Sequence, residues 1–309
     1  MARYIVTGST GFLGSDLALL LDQSGHEVIR AGRRYVAHHT MVHFDLGDLT
    51  TLSNLAATGA DGIFHLAWST TPAVAEANPH QDIATNVAGT VALYQFSQSQ
   101  KIPIVFVSSG GTVYGNAIIT PTPETSPLNP IGAYGLGKSF AERYADYYSN
   151  IGADIRIARV SNPFGEGQSA ARLQGVIPIF AKKILKGEPI TIWGDGENLR
   201  DYIPVRDVSI ALIKMMSQQS ASIRKASVFN IGAGVGLSLN RLIAILEEEI
   251  GSKADVKYLD ARPFDIHASI LDVQRALTLL QWKPSADPES SVRQFARAIQ
   301  TKKTNDWTM

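Results

Sequence analysis

The stretch that most restricts how this chain can fold is its first twenty-one residues. Tyr4-Ile5-Val6-Thr7 is a short β-prone run, Gly8-x-x-Gly11-x-x-Gly14 a glycine-rich turn, and Leu13 to Leu21 an apolar segment of helical period. Glycine is needed where a chain turns sharply, where backbone approaches a pyrophosphate, and where a helix packs tightly on a strand. The helix that follows offers its first N–H groups and its positive dipole end to phosphate. Three glycines alone are a weak signal; their place between a strand and a helix is what points to a dinucleotide. Gly8, Thr10, Gly11, Phe12, Leu13 and Gly14 are the candidate cofactor residues of this loop.

The pattern then repeats. Gly25 ends the helix, and Glu27 to Ala31 reads as a second strand. Asp61 to Ala67 and Ile102 to Ser109 are further apolar strands, with a helix over Asp82 to Gln100 between them. Ala133 to Ile151 is a long helix, and Asp154 to Val160 the strand after it. Strands alternating with helices predict an α/β fold, a doubly wound parallel sheet of Rossmann type. After Asn162-Pro163, glycine, proline and polar residues separate shorter elements, with amphipathic helices over Leu239 to Ile250 and Ser290 to Ile299 and a polar tail from Lys302. The expected organisation is a dinucleotide-binding domain over 1–165 and a smaller α/β substrate lobe over 166–309. Some segments of the second half are expected to return to the first domain.

Composition removes several function classes. Twenty-eight basic residues balance twenty-eight acidic ones without long runs of one sign, which argues against a nucleic-acid or membrane partner. No apolar run approaches the length of a bilayer span, and the N-terminus lacks the pattern of a signal peptide, so a cytoplasmic location is expected. The chain has no cysteine, which excludes disulfides, thiolate zinc sites and a cysteine nucleophile. His38, His39 and His43 follow the second strand without acidic ligands at helical spacing; they read as a solvated loop, and no metal is expected.

Two motifs carry the chemistry. Tyr134-Gly135-Leu136-Gly137-Lys138 contains the only Tyr-x-x-x-Lys pair of the sequence. Residues four apart share a helix face, and an ammonium there favours a tyrosinate, so that a phenol of pKa near 10 can serve as a base. An exposed helix pair has the same spacing; the phosphate loop upstream tips the reading toward catalysis. The second motif is Ser108-Ser109-Gly110-Gly111-Thr112-Val113-Tyr114-Gly115, at the end of a strand. Ligands of open parallel sheets sit off the carboxyl ends of strands, where hydroxyls can bond a substrate oxygen and relay a proton. A plain turn of small residues looks alike.

Taken in order, these motifs resemble the extended short-chain dehydrogenase/reductase family, and within it nucleotide-sugar epimerases of the UDP-glucose 4-epimerase type. The resemblance extends through Phe64-His65-Leu66-Ala67, Asn86-Val87-Ala88-Gly89-Thr90, Arg159 to Gly165, Trp193-Gly194-Asp195-Gly196 with Arg200-Asp201-Tyr202, and Arg262-Pro263-Phe264-Asp265. It implies that Asp45, Leu46, Leu66, Ala67, Trp68, Asn86 and Ser108 join Tyr134 and Lys138 around a tightly held NAD or NADP. It implies a nucleotide-diphosphate sugar as substrate, met by Ser109, Gly110, Thr112, Tyr134, Asn162, Arg200, Arg262 and Asp265. Arginine suits the diphosphate because its planar fork binds two oxygens. Val176, Phe180 and Ile192 are candidates for the nucleotide pocket, although core packing explains apolar residues equally well. The helices beginning near Asp82 and Ala133 would form a homodimer interface, although packing on the sheet explains their apolar faces as well.

The resemblance further implies C4 epimerisation, with Tyr134 as base, Lys138 lowering its pKa, and Ser109 or Thr112 assisting. Three departures qualify it. Arg30-Ala31-Gly32-Arg33-Arg34 lacks the acid that NAD-preferring members place near Gly32, and Arg33 and Arg34 suit the 2′-phosphate of NADP. The family's usual hydroxyl position falls at Gly110, which leaves Ser109 and Thr112 open. Trp68 stands where smaller residues are common. Gly111 and Thr112 occupy the places of a dehydratase's acid–base pair. An NADPH-dependent 4-keto-sugar reductase and a non-catalytic dinucleotide-binding regulator remain as alternatives.

Overall fold

The computed structural model describes residues 1–35, 37–168, 175–218, 227–261 and 266–302. The first half alternates β1 (Arg3–Thr7), α1 (Phe12–Gln23), β2 (Glu27–Gly32), β3 (Met41–His43), α2 (Leu52–Ala56) and β4 (Gly62–His65). It continues through α3 (Pro72–Ala77), α4 (Pro79–Asp82), a π-helical turn (Ile83–Val87), α5 (Ala88–Gln100), β5 (Ile104–Ser109), α6 (Ala133–Asn150) and β6 (Ile155–Val160). In the second half come β7 (Asn162–Phe164), α7 (Val176–Lys186), β8 (Ile190–Trp193), β9 (Leu199–Pro204), α8 (Val205–Ser217) and β10 (Ser227–Ile231). Then follow β11 (Gly236–Leu237), α9 (Leu239–Ile250), β12 (Val256–Leu259), β13 (Ala268–Ser269), α10 (Gln274–Leu280) and α11 (Pro288–Lys302).

Seven strands form one sheet in the order β10-β6-β5-β4-β1-β2-β3, and every neighbouring pair is parallel. A parallel sheet is covered on both faces, so its central strands are buried along their length, arginines such as Arg156 and Arg159 included. Every residue of β4 and β6 is buried. Leu17, Ala18 and Leu21 of α1, with Val208, Ala211, Leu212 and Met215 of α8, cover one face. Leu93 and Tyr94 of α5, with Ala141 and Ala145 of α6, cover the other. The chain winds one way through β1, β2 and β3 and the other way from β4 onward. The switch in direction opens a crevice at the carboxyl ends of β1 and β4, the place where such sheets take ligands.

A second core gathers α7, α9 and α11 around β9 and β8, with Ile177, Ile184, Ile192, Leu242, Leu246 and Phe295 inside. Ser238 caps α9 by accepting the N–H of Arg241 at 3.1 Å, and Gly251 closes it in the left-handed region. The predicted elements reappear with small shifts of boundary. Two findings differ from the reading of the sequence. Met41–His43 is an edge strand rather than loop, too short to show a period. The helical segment begins at Pro79, not Asp82, and widens into a π turn before α5. Among the segments of the second half, β10 pairs with β6 in the first sheet.

Candidate active site

Gly8 has φ of +70°, a region that only glycine enters readily. A Cβ there would lie 2.8 Å from the amide nitrogen of Ala67, and one on Gly14 would collide with the Gly8 carbonyl oxygen. The loop closes on itself and on the end of β4 because these side chains are missing. Gly11 caps α1 without a side chain, and the first turn of α1 holds no acid. Its leading N–H groups are thus left for an anion. This cradle fits a dinucleotide pyrophosphate. From it a cavity of about 220 Å³ runs past Leu66, Ala67 and Trp68 to Arg33, Arg34, Asp45 and Leu46. Thr10 lies on its wall; Leu13 packs into the core under the sheet, and Phe12 turns to the second cavity. Gly32 faces open space at the far end, and the Asp45 carboxylate is engaged by the N–H of Gly47 at 3.0 Å.

Asn86 sits buried in the π turn, a kind of helix defect frequent at functional sites. Its Oδ1 accepts the N–H and hydroxyl of Ser69 at 2.7 and 3.0 Å. Asn86 therefore fastens the segment after β4 that carries Trp68, and the cavity lining does not include it. Ser108 is likewise off the lining: its hydroxyl donates to Glu142 on α6. Glu142 also takes three hydrogen bonds from Arg159, the nearest at 2.6 Å, and Arg159 reaches on to the Tyr114 hydroxyl at 2.8 Å. This buried network locks the ends of β5 and β6 to α6.

A second cavity of about 570 Å³ lies between the sheet's carboxyl edge and the second core. Ser109, Thr112, Tyr134, Asn162, Val176 and Arg200 line it. Asn162 donates from Nδ2 to the Asp201 carbonyl at 3.0 Å, and Arg200 donates to the Leu199 carbonyl at 2.9 Å. Thr112 Oγ1 is buried in the wall with no hydrogen-bond partner among the described residues. Gly110 does not line this cavity; a Cβ on it would meet Leu271 Cδ1 at 2.6 Å. Phe180 and Ile192 lie in the second core, off the lining, and so act by packing. Arg262 and Asp265 lie outside the described residues.

Tyr134 and Lys138 occupy one face of the first turns of α6. The Tyr134 ring stands 6.1 Å from Trp68, which borders the smaller cavity, so the tyrosine links the two spaces. Lys138 is buried; its Nζ donates to the Val107 carbonyl at 2.8 Å and rests 3.8 Å from the Trp68 ring centroid. Burial lowers its pKa to about 7, against the opposing pull of Asp82 and Glu142. Burial and Asp82 push the Tyr134 phenol above its ordinary range. The sequence suggested the reverse for Tyr134, because spacing reveals the lysine but neither the loss of water nor the carboxylate. Glu142 had a visible signal, four residues beyond Lys138 on the same face. Asp82 had none, since its approach to α6 comes only with the fold.

Residues 4–232 match the NAD dependent epimerase/dehydratase family. The chain belongs to that family. A UDP-glucose 4-epimerase from Mycolicibacterium smegmatis is 32% identical over 297 residues, 91% of this chain and 93% of its own. A dTDP-4-dehydro-6-deoxyglucose reductase from Escherichia coli is 34% identical over 243 residues, 78% and 75% of the two chains. Among solved structures, the UDP-glucose 4-epimerase of Thermotoga maritima with UDP-glucose superposes with a TM-score of 0.90 at 30% identity. It covers 98% of this chain and 100% of that one. The fold is the Rossmann-type fold of the extended short-chain dehydrogenases/reductases, as the resemblance implied.

Proposed function

We propose that the chain is a nucleotide-sugar 4-epimerase of the UDP-glucose/UDP-galactose type, working by transient oxidation at sugar C4. The observation that carries this reading is the place of Tyr134: its side chain borders the 570 Å³ cavity beside Asn162 and Arg200, next to the dinucleotide cradle. A bound NAD(P) would accept the C4 hydride and give it back to the opposite face of the sugar. The remaining work falls to the chain. Tyr134 takes the proton of the sugar 4-hydroxyl as C4 is oxidised and returns it to the ketone oxygen when C4 is reduced. Thr112, whose hydroxyl lacks a partner among the described residues, or Ser109 bonds that oxygen and steadies it. Asn162 and Arg200 hold the diphosphate while the 4-keto sugar turns over, and Lys138 holds the cofactor ribose.

Incubation of purified protein with UDP-glucose or UDP-N-acetylglucosamine, without added cofactor, tests the reading. Inversion at C4 without net consumption of NAD(P)H is the expected result. A second reading has its own observation. Arg33 and Arg34 border the far end of the cofactor cavity, where Gly32 replaces an acid, which supports NADP and an NADPH-dependent 4-keto-sugar reductase. Stoichiometric NADPH oxidation by a 4-keto sugar, with no inversion of UDP-glucose, would replace the first reading with the second. If the 2′-phosphate is read here, Arg33→Ala weakens NADP binding about tenfold or more and leaves NAD binding nearly unchanged, by calorimetric titration.

A further inference from the structure

Gly137 lies between Tyr134 and Lys138 on α6, and its missing side chain admits a carboxylate. A Cβ at this position would stand 2.5 Å from Asp82 Oδ2. Asp82 ends α4 and is 1% exposed. Its Oδ1 is occupied, accepting from the Thr70 hydroxyl and from Asn86 Nδ2, the latter at 2.8 Å. Oδ2 is buried with no hydrogen-bond partner among the described residues. A carboxylate oxygen left bare in a dry interior is destabilising unless a cation nearby offsets it. Lys138 is the buried cation of this face of α6, and its own contacts are a carbonyl and aromatic rings, which bring no countercharge. Among the described residues no carboxylate comes within 4 Å of its ammonium.

We propose that Asp82 is a positioning residue of the reaction: a buried carboxylate that acts on Lys138 and Tyr134 through its charge, without touching substrate or cofactor. The proposal rests on the reading of Tyr134 and Lys138 as the reacting pair. Its geometry also explains the two partners on Oδ1, since Thr70 and Asn86 hold the carboxylate so that Oδ2 is turned to α6. A negative charge there disfavours proton loss from both neighbours. Asp82 accordingly raises Lys138 against the effect of burial, and it adds to burial in raising Tyr134.

Other titratable groups around α6 are accounted for. Glu142 supports Lys138 but is already paired with Arg159 of β6. On β4, His65 is held neutral, its pKa lowered to about 3 by burial and by Lys138. From α5, Tyr94 is kept protonated by burial. Glu76 of α3 accepts the N–H of Ala133 at the start of α6. Asp82 is thus the charge that bears on both members of the pair.

The test is a titration of the Lys138 ammonium in the unliganded protein by NMR of 13Cε-labelled lysine, the signal assigned with Lys138→Arg. Asp82→Asn keeps the shape and removes the charge; the Lys138 midpoint should fall by on the order of one pH unit. An unchanged midpoint overturns the proposal whatever the substrate is. In turnover, each limb of the pH–rate profile that belongs to Tyr134 or Lys138 should move to lower pH together. A lower rate with unmoved limbs would show that Asp82 serves the fold alone and would also overturn the proposal. Asp82→Ser removes the charge with less volume and gives the same comparison should the amide not fit; thermal melts establish that each variant is folded. If the wild-type protein inverts no sugar, the proposed reaction fails, and the Lys138 titration still decides the role of Asp82.

Discussion

At the scale of single residues, the site depends on polar groups held in dry places. Tyr134→Phe removes the proposed proton carrier and little else, because the ring contact with Trp68 survives. Turnover should fall by about 10²–10⁴-fold while dinucleotide binding, followed by fluorescence titration, stays within about twofold. Full activity in this variant would remove Tyr134 from the mechanism. His65 makes a second case. Thr7 Oγ1 accepts the N–H groups of Leu66 and Ala67 at 3.2 Å each, so its own hydrogen goes to His65 Nδ1 at 2.8 Å. Nε2 then carries the ring proton and donates to Thr90 Oγ1 at 2.9 Å. The chain suits only the neutral ring, in line with the pKa lowered to about 3. Because the folded pKa lies below the unfolded value of about 6.5, the unfolded chain binds the extra proton between those two points. Stability contributed by this group is therefore complete above pH 6.5 and lost as pH falls toward 3, by up to about 1.4 kcal/mol per pH unit. Urea unfolding from pH 7 to pH 4.5 should show a shallower decline for His65→Gln than for the wild type, with carboxylate contributions common to both.

At the scale of elements, α6 shows why the helix of the proposed catalytic pair carries two glycines in its first turns. Glycine in a helix interior is less favourable than alanine by about 1 kcal/mol. Propensity alone therefore predicts that Gly137→Ala stabilises the protein. The structure predicts the opposite, since the added methyl would press on Asp82 Oδ2 and lie 3.3 Å from the Trp68 ring. A lower midpoint of thermal unfolding, together with weaker dinucleotide binding, is the expected outcome. Elements also mark what a sequence can reveal. The geometry of the glycine loop and of the Tyr-x-x-x-Lys pair was legible because each lies within eight contiguous residues or fewer. Asp82 was not, because it meets Gly137 across 55 positions of chain. The strand Met41–His43 is too short to carry a period, and β10 returns to the first sheet by pairing that only the fold displays. Phe180 and Ile192 are apolar whether they line a pocket or fill a core, so composition had no means of separating the two.

At the scale of the whole molecule, α6 has a second face. Leu136, Phe140, Tyr144, Tyr147 and Ile151 are all exposed, and their spacing of three or four lays them along one side of the helix. Ile83, in the π turn that leads into α5, is exposed as well. The buried residues of α6, including Ala141 and Ala145, face the sheet. The sequence raised pairing with a second copy for these helices, and α6 has one face on the sheet and a separate exposed one. An apolar stripe this long supports a partner of matching surface, and a two-fold arrangement would set the same stripe against itself. The proposed homodimer makes a definite prediction. Light scattering behind size exclusion should give twice the chain mass for the wild type. Phe140→Asp with Tyr144→Glu, at the middle of the stripe, should give the chain mass instead, with an unchanged far-ultraviolet circular dichroism spectrum. Since Tyr134 and Lys138 stand on the opposite side of the same helix, the monomeric variant should also lose affinity for dinucleotide if pairing steadies α6. A wild-type protein that runs as a monomer at micromolar concentration would overturn the dimer and leave the stripe without this role.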